Sequence, residues 1–111
     1  MRKIEREIIA AMEEKREAQL SKRDKIFIAL QGEAKGAMVY ILWHTPLAIV
    51  GERSINLGTP GGVYRSNTTK SRINAIAGHY GLPGIVQKNF VWRWSDGRAY
   101  DGGRNFERKS I

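Results

Sequence analysis

The chain has 111 residues, no cysteine and a formal charge of +8 at neutral pH, with 41% apolar and 27% charged residues. That length holds one domain around one core, and the lack of cysteine excludes a disulfide scaffold, a thiolate nucleophile and a Cys-based zinc site. The apolar share is too high for wholesale disorder. The most apolar stretch, Ala37 to Gly51, is broken by His44-Thr45-Pro46 and falls short of the roughly 18–20 residues that span a bilayer.

Met1-Arg2-Lys3-Ile4-Glu5 opens a charged segment with no apolar region of the secretory type. The expectation is a cytoplasmic protein without a membrane segment. Ile4, Ile8, Ala11 and Met12 recur at helical spacing, which predicts an amphipathic helix over about 2–20. The stripe thins after Met12, and the segment reads either as a helix packed on a sheet or as a partner-binding arm.

From Lys25 the period changes. Ile26, Ile28 and Leu30 alternate with Phe27, Ala29 and Gln31, which predicts a strand, and Gly32 to Gly36 reads as a hairpin connection. Ala37 to Trp43 is a second strand, ended by His44-Thr45-Pro46. Leu47 to Val50 is a third, Ser54 to Leu57 a fourth, and Val63-Tyr64-Arg65 reads as an extended return. Ser66-Asn67-Thr68-Thr69 then offers consecutive N-cap residues, Ile73, Ile76, Ala77 and Tyr80 form a stripe, and Gly81 supplies a stop, so a helix is predicted over about 68–80. Phe90, Trp92 and Trp94 share one face of a later strand, and Asp96-Gly97 is a turn signal from which Arg98-Ala99-Tyr100 can pair back.

These elements describe a single α+β domain with an antiparallel sheet of about five to six strands. The N-terminal helix occupies 1–24 and the core 25–103. Residues 104–111 read as a basic tail with little reason to be ordered.

Catalytic chemistry finds little support. His44 and His79 have no sequence-local partner at metal spacing, no Ser or Thr sits in a Gly-x-Ser-x-Gly turn, and the chain holds only three aspartates. Gly58-Thr59-Pro60-Gly61-Gly62 lacks the Gly-Lys-Ser/Thr ending of a phosphate loop. The expectation is a protein that is no enzyme and holds no metal or cofactor.

The charge is more suggestive. Residues 54–95 contain no Asp or Glu but include Arg65, Lys70, Arg72, Lys88 and Arg93. An uncompensated basic run is the electrostatic footprint of a nucleic-acid surface, and a helix start adds unpaired amides and the positive end of the dipole. Arg65, Thr68, Thr69, Lys70, Arg72, Lys88 and Arg93 are therefore the candidate contacts to phosphate. The plainer reading is that Asn67 or Thr68 caps a helix and the cations keep the protein soluble. Phe90-Trp92-Trp94 can likewise stack bases or form core, and core is favoured in so small a domain.

Ser66-Asn67-Thr68-Thr69-Lys70-Ser71-Arg72-Ile73-Asn74-Ala75, followed by Gly84-Ile85-Val86-Gln87-Lys88-Asn89-Phe90-Val91-Trp92, resembles a set of short proteins of tailed bacteriophages of aquatic bacteria. The likeness extends over roughly residues 1–103, while Trp43-His44-Thr45-Pro46 departs from its pattern. It implies a phage product working in the bacterial cytoplasm and supplies no catalytic residues. Two partners then fit the charge: a nucleic acid, or an acidic face of a host protein that the phage inhibits, such as a polymerase or a defence enzyme. An unpaired edge strand or the Ile4–Met12 stripe leaves room for a homodimer.

Overall fold

Ile8, Ala11 and Met12 lie on one side of the first helix, α1 (Lys3–Glu13), and all are buried. The Arg2 amide donates to Glu5 Oε1 at 3.2 Å, closing the first turn. The helix stops well before Leu20. Lys15 adopts a left-handed φ of 53°, and the Lys15 and Arg16 amides donate to the carbonyls of Met12 and Ala11. This Schellman-type end releases the chain into β1 (Ala18–Gln19). The computed structural model describes residues 1–108, so the last three residues of the expected tail lie outside the described residues.

β2 (Asp24–Ile28), β3 (Met38–Leu42), β4 (Thr45–Val50) and β5 (Ser54–Leu57) form an antiparallel meander, as the alternation predicts. The break at His44-Thr45-Pro46 is narrower than expected. Trp43-His44 makes a two-residue turn, and Thr45 and Pro46 already belong to β4, with Pro46 at a register shift beside Ile41. Val63-Tyr64-Arg65 forms no strand among the described residues. A short 3₁₀ turn (Pro60–Gly62) leads instead to α2 (Asn67–His79), where the Ser66 hydroxyl accepts the Thr69 amide as N-cap.

β6 (Ile85–Lys88) and β7 (Val91–Trp94) make a separate hairpin, and Arg93 bridges to Ala99 after the Asp96-Gly97 turn. The expectation of an unordered tail is overturned at Arg104–Glu107. These residues form β8 on the free side of β5, with Phe106 opposite Ile55 and buried in the core. The six-stranded sheet thus runs β1-β2-β3-β4-β5-β8.

One face of the sheet supplies Ile26, Met38, Tyr40, Ala48, Val50, Ile55 and Leu57 to a core completed by Ile8, Met12, Ile73 and Ile76. Each fully buried aliphatic side chain contributes about 1.5–3 kcal/mol. The Ile4–Met12 stripe is therefore consumed inside the domain and is no exposed dimer face. Trp92 and Trp94 join the same core, with ring centroids 5.3 and 5.4 Å from Tyr100. Gly58 matters for a different reason: with φ at 110°, a side chain there would stand 3.0 Å from the Gly102 carbonyl. The loop from Gly58 to Gly62 packs against residues 101–103, and the buried Thr59 amide donates to the Tyr100 hydroxyl at 2.8 Å. This loop is structural.

Candidate nucleic-acid interface

The seven residues expected to meet phosphate divide into three groups. Arg72 is the clearest departure, because it is fully buried. Its Nη1 donates to Glu5 Oε2 at 2.9 Å and its Nε to Asp24 Oδ1 at 3.1 Å. The Ser71 hydroxyl also donates to Glu5, and the hydroxyls of Ser21 and Tyr40 donate to Asp24. Burial alone would raise both carboxyls, but these hydrogen bonds and the guanidinium charge outweigh it and hold both below their ordinary values. Arg72 therefore ties α1, β2 and α2 together and is withdrawn from any ligand. Thr69 is also buried, its hydroxyl 2.9 Å from that of Ser66 within the helix cap.

Arg65, Thr68 and the buried Thr69 line a cleft of about 580 Å³ at the head of α2. The β3–β4 turn, Trp43 and His44, lines it too, as do Arg23 and Tyr64 and the apolar Leu42 and Leu47. No Asp or Glu lines it. The nearest carboxylate in sequence, Asp24, stands 3.7 Å from Arg23 Nε but is already engaged by Arg72, Ser21 and Tyr40. Arg65 is fixed in place: Nε donates to the Gly62 carbonyl at 2.7 Å and Nη2 to that of Tyr100 at 3.0 Å.

Trp43 is 57% exposed and Tyr64 68% exposed, each with a left-handed φ of 58°. Bulky side chains rarely accept that backbone region, and such outliers concentrate where a fold clamps a ligand. Neither is among the contacts the sequence suggests, although Tyr64 directly precedes Arg65. The available signal was Trp43-His44 interrupting an apolar run, where a turn between strands would favour glycine.

Lys70, Lys88 and Arg93 make the third group. The Lys70 ammonium donates to Gln87 Oε1 at 2.8 Å, which fixes the first turn of α2 against the β6–β7 hairpin. Lys88 and Arg93 are exposed on the outward side of that hairpin, on the face that also carries Val86 and Val91. His79 lies elsewhere, with Nε2 3.1 Å from Glu13 Oε1.

An α+β domain with a one-sided antiparallel sheet and an acid-free cleft at a helix head is the class these observations define. The chain matches the Kyanoviridae Gp96 protein family over residues 1–110 and belongs to that family of phage proteins. No curated protein and no solved structure matches it. No helix among the described residues is long and apolar enough to cross a membrane.

Proposed function

We propose that this phage protein is a non-enzymatic accessory factor that binds nucleic acid in the host cytoplasm, with unpaired bases seated at the α2 cleft. The observation that supports the reading is the cleft itself: exposed Trp43 and Tyr64, the cations Arg23 and Arg65, and no carboxylate in its lining. An aromatic face accepts any base, and surrounding cations accept the backbone, which is the chemistry of single-strand binding. Lys70, Lys88 and Arg93 extend the positive surface on the other side of the helix head.

Anisotropy titration of labelled single- and double-stranded oligonucleotides at about 50 and 200 mM salt tests the reading. Joint Trp43→Ala and Tyr64→Ala substitution should weaken single-strand binding, by about 1–3 kcal/mol for each stacked base lost. Replacing Lys70, Lys88 and Arg93 together by Ala should flatten the salt slope by about 2, at roughly 0.7 per phosphate on a single strand. Absence of salt-dependent binding to any oligonucleotide rejects the proposal. A stoichiometric host protein retained from nuclease-treated lysate would move the role to host inhibition.

A further inference from the structure

The two residues that join β6 to β7, Asn89 and Phe90, both have left-handed backbone, with φ of 52° and 64°. That is the pattern of a type I′ hairpin turn, whose second position strongly favours glycine. Phe90 occupies it instead, and it is 92% exposed. A phenyl ring there adds backbone strain and buries almost nothing, so it contributes little to the fold. The ribbon beneath it is firmly held. Trp92 and Trp94 anchor its inner face in the core, and Asn74 accepts the Ile85 amide at 2.5 Å and donates to the Ile85 carbonyl at 3.1 Å. Its outer face carries Val86 and Val91, about half exposed, between Lys88 and Arg93. No acidic residue lies in residues 54–95, and Asp96, the next one, is gripped by both terminal nitrogens of Arg104 at 3.0 and 2.7 Å.

We infer that the β6–β7 hairpin is a nucleic-acid arm, in which Phe90 inserts between adjacent bases while Lys88 and Arg93 hold the flanking phosphates. A rigid ribbon with an apolar tip and cationic flanks meets both halves of a polynucleotide, its base faces and its backbone, and apolar wedges of this kind partly unstack the step they enter. The charge complementarity selects a polyanion over an apolar protein groove. The inference rests on the nucleic-acid reading proposed above but uses a surface separate from the cleft.

Phe90→Gly is the informative substitution, because it restores the preferred Asn-Gly turn. Its Tm should be no lower than that of the parent and up to roughly 4–8 °C higher. Its affinity for a single-stranded oligonucleotide containing 2-aminopurine should nevertheless fall by about tenfold, and the 2-aminopurine fluorescence rise produced by the parent protein should vanish. Retained affinity together with a retained fluorescence response overturns the arm while leaving the cleft reading intact. A parent protein that binds no oligonucleotide overturns both. Loss of binding to anionic vesicles in Phe90→Gly, with oligonucleotide binding unchanged, would assign the tip to a lipid surface and reject this inference.

Discussion

Arg72 illustrates how little a cation's position in a sequence says about its role. In the string Lys70-Ser71-Arg72 the two cations look alike as phosphate ligands, yet two residues are about 200° around a helix, so Arg72 turns inward to meet Glu5 and Asp24, which are distant in sequence. Only the fold brings those partners together, so the pairing could not be read locally. Arg72→Ala removes the buried guanidinium that Glu5 and Asp24 share and should cost about 3–5 kcal/mol in urea unfolding at neutral pH. The pH dependence has a definite sign. Glu5 and Asp24 titrate below their ordinary values of 4.5 and 3.8, so their contribution is complete above that range and is lost as pH falls through the lowered folded values. In Arg72→Ala the same carboxyls keep their hydroxyl partners but lose the guanidinium, and should titrate higher than in the parent protein. The variant's deficit should therefore shrink as pH falls from neutral through the carboxylate range. A deficit that stays constant over that interval would show that the carboxylates do not sense the guanidinium.

Elements whose own residues set their boundaries were legible, and elements defined by distant pairing were not. α2 announced itself through Ser66, its apolar stripe and Gly81, and β2 to β5 through alternation and glycine turns. β8 has a single buried apolar side chain, Phe106, and exists because β5 offers an open edge. Nothing in Arg104-Asn105-Phe106-Glu107 distinguishes that strand from a solvated tail. Phe106→Ala should cost about 3 kcal/mol, as for other buried aromatics, and a silent substitution would return the segment to the tail reading. The end of α1 was hidden for a similar reason. Glu13-Glu14-Lys15-Arg16-Glu17 has good helix propensity throughout, and the stop at Lys15 depends on a left-handed residue that is not glycine. Lys15→Gly should stabilise the protein by about 0.5–1 kcal/mol, measured as a higher urea midpoint at unchanged slope.

At the scale of the whole molecule, the cleft and the hairpin flank the same helix head, since Thr68 lines the first and Lys70 is bonded to the second. A strand that engages Trp43 and Tyr64 at one end and Phe90 at the other makes the second contact intramolecular once the first has formed, and affinity then exceeds that of either surface alone. The molecule's longest dimension is 38 Å, which a stacked strand at 3.4 Å per nucleotide crosses in about 11 nucleotides. Both surfaces lie within that span, so affinity in a length series of single-stranded oligonucleotides should finish its steep climb at or below about 11 nucleotides and rise only weakly beyond it. Phe90→Gly should matter for the long oligonucleotides and be nearly neutral for those too short to leave the cleft. The cleft variant should weaken binding at every length. Affinity that is already maximal for a mononucleotide would confine recognition to the cleft, and equal sensitivity to Phe90→Gly at all lengths would place the hairpin in the primary contact.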